Sequence, residues 1–344
     1  MKQYNRKIDV IIPAYNVPDA ILFRCLSSIA CQELVGELEV TIVDDASTEQ
    51  NYAEVIKSFE NILKINLLRY SSNGGPGVAR QYGLEHTSNG YVTFIDADDT
   101  FNGSLALKAL RNGIEMNNGL YQMCVGVFDE VHEAGVPDGQ TLLMPHEGDM
   151  VWMFGKLYRR SFIDKYNIHF HESSRANEDN GFNTLIRLLA NDQEQINFIP
   201  AHVYYWHESP NSITRANDCQ YSYGGSDRDS FFGYTENMIF AIKEARKRNP
   251  YNGMITMWSV MCMVNLYEYY IECYARAREH ADANFKWCKW YYDEIYKNIE
   301  DSISDDVLAQ QYNDVMRNAY MGDKLNGIIP HMGISEFLEA LKQE

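Results

Sequence analysis

A chain of 344 residues with 45% apolar and 13% aromatic side chains has the length for one large domain with a sizeable appendage, which excludes a small binding module and a disordered segment. Its 48 acidic residues against 30 basic ones leave a net charge of -18. That field repels phosphate polymers and anionic membranes unless a local basic patch overrides it, so nucleic acid is a poor default partner. The seven cysteines include no CxxC pair, which speaks for reduced core thiols rather than a zinc site or disulfide framework. The first apolar run is too short for a signal sequence, and no segment approaches about 18 uninterrupted apolar residues. The chain therefore reads as soluble and cytoplasmic, at most peripheral to the inner face of a membrane.

The first hundred residues alternate. IDVIIP (8 to 13), LEVTIV (38 to 43), the weaker INLLRY (65 to 70) and YVTFID (91 to 96) are short, β-branched, apolar runs that predict strands. Helix-like stretches lie between them, over 18 to 34, 52 to 63 and 76 to 86. Strands alternating with helices predict parallel βαβ units in a layered α/β sheet. Ligands of such sheets bind beyond the carboxyl ends of the strands. Each polar cluster of this region follows a strand: Ala14-Tyr15-Asn16, Asp44-Asp45, Asn73 to Gly77, and Asp96 to Asp99. An acid pair after one strand is more often a helix cap, but four clusters converging on one crevice are harder to explain that way.

The chemistry of that crevice suits a nucleoside diphosphate. Asp45 can accept a hydrogen bond from a base N–H or a ribose hydroxyl, and Tyr15 can lie against a base. NGGPGVAR (73 to 80) is a loop of small residues with Pro76 at a helix start and Arg80 one turn inside, within reach of a phosphate or an acid. FIDADDT (94 to 100) places three carboxylates in four positions, which repel one another unless a cation screens them. A hard divalent cation held by carboxylate oxygen and bridging two phosphates would do so.

VIIPAYN, IVDDAS, NGGPGVAR and FIDADD, in this order and at these spacings, resemble the N-terminal half of the family 2 glycosyltransferases, inverting enzymes of the GT-A fold. The resemblance covers residues 8 to about 215. It implies a GT-A layered sheet with helices on both faces, a nucleotide-sugar donor that is most often a UDP-sugar, and Mn²⁺ or Mg²⁺. It also implies roles: Pro13, Ala14 and Tyr15 lining the base, Asp45 contacting it with Asp44 structural, and Asn73 and Arg80 touching the nucleoside or ordering the loop. Asp96 would lie nearer the ribose and Asp98 on the metal; Asp99 is the acid that often follows the pair, with a cap on the next turn as its competing reading.

Residues 101 to 150 include VGVFDEVHEAGVPDGQTLLMP, which reads as two antiparallel strands across a Gly and Pro turn. VWMFGKLYRRSFI (151 to 163) resembles the family segment ahead of the catalytic acid; its Lys156, Arg159 and Arg160 would form a basic edge toward donor or acceptor, with a solvated helix start as the competing reading for the arginines. NEDNGFN (177 to 183) carries the acid pair in which the family places its base, so the resemblance implies Asp179 as base and Glu178 as its acceptor-orienting neighbour, against a helix cap as the alternative. In YYWHESPNSIT (204 to 214) many members carry Arg where this chain has Trp206-His207; His207 would be a further metal ligand or a donor to the diphosphate, or be packed among aromatics.

From about 230 the pattern turns helical and rich in aromatic residues and Met, over 254 to 280 and 285 to 300. The expected organisation is a glycosyltransferase domain over 1–215, split into nucleotide-sugar binding (1–100) and acceptor side with base (101–215), and a helical region over 216–344. The helical region would pack on the first domain, bind the acceptor, or build a homo-oligomer, since Trp and Tyr stack on sugars and anchor interfaces. The expected reaction is metal-dependent inverting transfer from a UDP-sugar to a glycan or other surface polymer. The alternatives are transfer to a modified nucleobase of phage DNA, if the basic edge joins C-terminal basic residues in one patch, a nucleotidyltransferase, or a catalytically silent glycan-binding protein.

Overall fold

The computed structural model describes residues 4–132, 141–172, 176–190, 195–207, 230–250, 252–316, 325 and 327–343. It divides into two compact units, Met1–Ser173 with Phe182–Pro210, and Ser174–Gly181 with Asn211–Glu344. The boundary expected at 215 lies in 208–229, outside the described residues. Residues 174–181, expected in the first domain, group with the second unit.

The first unit is built on one mixed sheet. Strands β1 (Ile8–Ala14), β2 (Leu38–Asp44), β3 (Lys64–Arg69) and β4 (Tyr91–Phe94) are parallel in the order β3-β2-β1-β4. The order continues through β8 (Lys156–Arg159), β6 (Met123–His132), β9 (Ile196–His207) and β5 (Thr100–Phe101), with β7 (Leu142–His146) paired to β6. β8 runs antiparallel to both β4 and β6, and β9 is parallel to β6. β6 and β9 therefore point the same way as the first four strands, and their carboxyl ends share one end of the sheet. β6 and β7 pair antiparallel as expected; the turn expected between them falls in 133–140, outside the described residues.

Alternation along β1 assigns its side chains to two layers. Ile8, Val10 and Ile12 join one core with Leu22, Cys25, Leu26 and Ile29 of α1 (Asp19–Ala30) and with Leu107, Leu110 and Ile114 of α4 (Ala106–Gly119). Ile11 faces α3 (Pro76–Glu85) on the other side. A Cβ on Gly83 of α3 would come within 2.6 Å of Ile11 Cγ2, so glycine is what lets this helix lie close to the sheet. The helix expected over 52 to 63 shrinks to α2 (Ala53–Lys57). β8 leads directly into α5 (Arg160–Tyr166).

The described part of the second unit is helical: the first turn of α6 (Glu178–Leu189), then α7 (Ser230–Arg248), α8 (Gly253–Arg276), α9 (Ala281–Glu294), α10 (Asp305–Met316) and α11 (Ile334–Gln343). Asn252 caps α8 by accepting from Met254 N–H at 3.0 Å. Apolar spacing of three and four packs α8 on its neighbours: Tyr291 donates to Ser259 O at 3.1 Å, and Tyr270 stacks on Phe337 at 5.3 Å. None of the described helices is long and apolar enough to cross a membrane.

Glu268 of α8 is buried, and its Oε1 has no hydrogen-bond partner among the described residues. Burial pushes this carboxyl up to about 7 from 4.5. The folded state thus holds a proton that the unfolded chain releases. Stability is expected to fall as pH rises from about 4.5 to about 7 and to level off above, by about 3 kcal/mol at most from this group. Glu268→Gln should flatten that slope in thermal melts; an unchanged pH dependence in the variant would refute the assignment.

Candidate active site

The four strand-end clusters meet at the carboxyl end of the parallel strands, and short hydrogen bonds tie their loops together. After β1 the chain turns at Asn16, which sits at φ 51°, a left-handed conformation that asparagine tolerates better than most residues. Its side-chain oxygen accepts from Thr48 N–H at 2.8 Å and Glu49 N–H at 3.0 Å, and its own N–H donates to Ser47 Oγ at 2.8 Å. The turn leaves Tyr15 48% exposed, available to stack on a ligand. Pro13 and Ala14 end the strand beneath it, in register with Val43 and Asp44.

The two acids after β2 divide their work. Asp44 accepts from Ser47 N–H at 2.8 Å and pairs with Arg69 Nη1 at 3.0 Å, the structural role expected for it. Asp45, also buried, reaches the glycine loop: Gly74 N–H donates to its Oδ1 at 2.9 Å and Gly75 N–H to its Oδ2 at 2.8 Å. Gly75 sits at φ 90° and hands over to Pro76 at the start of α3. Asp45 thus fixes the path of the loop that presents the exposed Asn73.

The three acids after β4 have different surroundings. Asp96 pairs with Arg80 Nη2 at 2.5 Å, and the guanidinium is buried against it. Asp99 is fully buried; it accepts from Tyr204 Oη at 2.7 Å and from His207 N–H at 2.8 Å, and burial with the neighbouring acids pushes its carboxyl well up. Tyr204 Oη also accepts from Asp96 N–H at 3.2 Å, so one hydroxyl links both ends of the acid loop to β9. Asp99 is therefore a tie between loop and sheet rather than the cap of a following turn. Among the described residues Asp98 has no side-chain partner of this kind. Arg24 of α1 donates to its backbone carbonyl, while burial and the Asp96 charge push its carboxyl up to about 6. Among the described residues no group of three or more His, Cys, Asp or Glu side chains is gathered to hold a metal ion. His207 lies beside the acids with its Nε2 2.9 Å from Thr100 Oγ1.

The basic edge expected at 156 to 160 is absent as an edge. Lys156 is fully buried, with Nζ 3.3 Å from both Asp149 Oδ1 and Phe154 O. Arg159 donates to Tyr121 O and Ile114 O at 2.9 Å each, where it closes the carboxyl end of α4. Arg160 is buried against Asp9 at 3.1 Å, Thr87 Oγ1 at 2.6 Å and Leu84 O at 2.9 Å. Cations spent inside the domain cannot form a patch for DNA phosphates, so the condition attached to the phage-DNA alternative is not met.

Glu178 and Asp179 open α6, in the segment that groups with the second unit. Asn177, at φ 58°, precedes them, and its amide donates to Ser230 O at 3.0 Å. Asp179 is thus the second residue of the helix rather than its cap. Its side chain is half-buried and accepts from Asn180 N–H at 2.7 Å; Glu178 is buried. Sequence reading missed Arg24 and the structural use of Tyr204, neither of which carries a local signal beyond sitting on a helix face and a strand.

Comparison with known proteins follows the same lines. A family model described as glycosyl transferase family 2 matches residues 9–176. The uncharacterized glycosyltransferase EpsJ of Bacillus subtilis is 26% identical over 224 residues, 60% of this chain and 62% of its own. The poly(ribitol-phosphate) β-N-acetylglucosaminyltransferase TarS of Staphylococcus aureus is 28% identical over 212 residues, 58% of this chain and 35% of its own. The chain thus spans less than two thirds of these relatives. The crystal structure of a TarS fragment in complex with UDP-GlcNAc superimposes with a TM-score of 0.65 at 19% identity, over 98% of this chain and 92% of that one, which shows the GT-A fold. A mannosyltransferase of Pyrobaculum calidifontis in complex with GDP-Man and Mn²⁺ aligns at a TM-score of 0.51 and 13% identity, over 98% of this chain and 86% of that one. Residues 9–176, which carry the strand-end acids and the glycine loop, match the model of glycosyl transferase family 2.

Proposed function

We propose that this protein transfers a sugar from a UDP-sugar to a hydroxyl of a glycan or other surface polymer, with inversion at the anomeric carbon. The observation that supports it most is the arrangement at the strand ends: an exposed aromatic at Tyr15, a glycine loop held by Asp45, and an acid loop in which Arg80 and Tyr204 restrain Asp96 and Asp99 while Asp98 keeps a carboxylate without a side-chain partner among the described residues. The complex of TarS with UDP-GlcNAc supports a uridine nucleotide as donor. Tyr15 with Pro13 and Ala14 would hold the base, Asn73 and Asp45 the nucleoside, and Asp96 the ribose.

A divalent cation, Mn²⁺ or Mg²⁺, fits the residues present. Hard cations of this size are commonly held by one or two carboxylates together with the phosphates of the substrate, and Asp98, strained upward by burial and by Asp96, is the carboxylate such an ion would relieve. Asp98 would hold it, with His207 beside it, and the ion would supply charge neutralisation of the leaving diphosphate. Asp179 would take the proton of the attacking hydroxyl and Glu178 orient the acceptor. Assay with UDP-, GDP-, CDP- and TDP-sugars tests the reading: turnover confined to UDP-sugars is expected, and none with any donor would defeat it.

Asp45→Ala is expected to weaken UDP binding by ~1–3 kcal/mol, because it removes a ligand acceptor and frees two loop N–H groups together. Calorimetric titration with UDP checks this. Unchanged affinity would move the base elsewhere.

A further inference from the structure

On one face of the sheet, registers align Trp206 of β9, Glu130 of β6 and Met144 of β7 in a row across three strands. The row before it holds Tyr204, Phe128 and His146. Glu130 sits among them with an imidazole beside each oxygen: His132 Nε2 is 3.2 Å from Oε1 and His146 Nε2 is 3.5 Å from Oε2. His146 has 37% side-chain exposure and Glu130 12%, while the Nε2 atoms of both imidazoles are themselves buried. The rows stand at the carboxyl ends of β6 and β9, the sheet end that carries the acid loop, and Tyr204 reaches that loop directly.

Beside Trp206 lies a second half-buried indole. Trp152 stacks on it at 6.2 Å and 21°, and both stack on Phe154, at 6.0 Å and 9° for Trp152 and 5.7 Å and 24° for Trp206. The loop that carries Trp152 is pinned from within. Asp149 accepts from Val151 N–H at 3.1 Å and Trp152 N–H at 2.9 Å, and the buried Lys156 holds Asp149 in turn. Asn183 Nδ2 donates to Val151 O and Trp152 O at 3.0 Å each. The buried Lys156 and Asn183 hold the half-buried Trp152, which packs against the core, and pre-organise an aromatic wall next to a carboxylate.

We infer that this face is a subsite for one uncharged pyranose ring of the acceptor, an inference that rests on the glycosyl-transfer reading above. Indoles offer flat apolar faces to the C–H side of a sugar ring, and the Glu130 carboxylate beside them supplies acceptors for its hydroxyls. A carboxylate at the centre, in a chain of net charge -18, selects against phosphate- or carboxylate-bearing rings. The location is continuous with the acid loop through Tyr204, as a ring next to the reacting hydroxyl requires.

The test is saturation-transfer NMR with methyl β-D-glucopyranoside and its charged counterpart, methyl β-D-glucuronide, on the full chain without donor. Transfer to the neutral glycoside alone is expected, and it should weaken roughly tenfold in Trp206→Ala and in Trp152→Ala, the loss of one stacking contact. Trp152→Leu and Trp206→Leu keep apolar volume without the ring and stand in if an alanine variant fails to fold. No transfer in the wild type, equal transfer in the ring-less variants, or preference for the glucuronide would each overturn the subsite. A parallel UDP titration separates the two readings: a chain that binds UDP but neither glycoside loses only the subsite, whereas one that binds no UDP loses the donor reading.

Discussion

Asp179→Asn is expected to lower turnover by about 10²- to 10⁴-fold, the range over which a positioned general base contributes. Single displacement at an anomeric carbon needs the acceptor oxygen to shed its proton as it attacks, and one carboxylate suffices. Asparagine keeps the size and the hydrogen-bonding oxygen that Asn180 N–H uses, so the first turn of α6 should stay intact while the side chain loses its ability to take a proton. The loss should therefore fall on kcat with UDP affinity unchanged. Glu178→Gln should instead raise the acceptor KM, since a neutral amide still occupies the same buried position. The stereochemistry is an independent readout: an α-linked donor should give a β-linked product, read from the NMR coupling constant of the new bond. A retained configuration, or full turnover in Asp179→Asn, would remove Asp179 from the reaction.

The parallel strands were legible because a sheet covered on both faces writes its strands as near-continuous apolar runs, and Ile8 to Ile12 and Val40 to Val43 are such runs, broken only by Asp9 and Thr41. The strand-end acids were legible because the alternation of strand and helix says which end of each strand collects ligands. β5, two residues long, falls below any periodicity. The partners of the acids were not legible either, since Asp99 is held by Tyr204 and His207 more than a hundred positions away, and nothing local marks that distance as closed.

Charge misled where it was buried. Lys156, Arg159 and Arg160 read as a basic edge because long cationic side chains are rarely enclosed without a partner; here each has found one, in Asp149, the carboxyl end of α4, and Asp9. The same blindness applies to residues 174–181. The break between compact units falls at Gly181 inside one continuous helix, and a single glycine that the helix runs through, with no proline or polar linker, does not announce it.

Asp98→Asn should bring transfer down to background and abolish its stimulation by Mn²⁺, with the fold retained. Three acids follow β4, but two are already committed, Asp96 to Arg80 and Asp99 to Tyr204 and the His207 N–H. Asp98 keeps its carboxyl pushed up to about 6 by burial and by the charge of Asp96, a state that a divalent cation would reverse, since it favours the ionised form far more than either neighbour opposes it. Asparagine is the same shape and carries no charge, so the variant isolates electrostatics from packing. Circular dichroism should match the wild type. Electron paramagnetic resonance of Mn²⁺ titrated in the presence of UDP should show bound ion for the wild type and little for Asp98→Asn, a readout that does not depend on turnover. Asp99→Ala should behave differently: it releases Tyr204 and the His207 N–H inside the core, and it should lower the melting temperature, which Asp98→Asn should not. EDTA should reproduce the Asp98→Asn phenotype in the wild type and added Mn²⁺ should reverse it. Full transfer in EDTA, or Mn²⁺ binding by Asp98→Asn equal to that of the wild type, would show that the acid loop serves the ribose and the sheet without a metal.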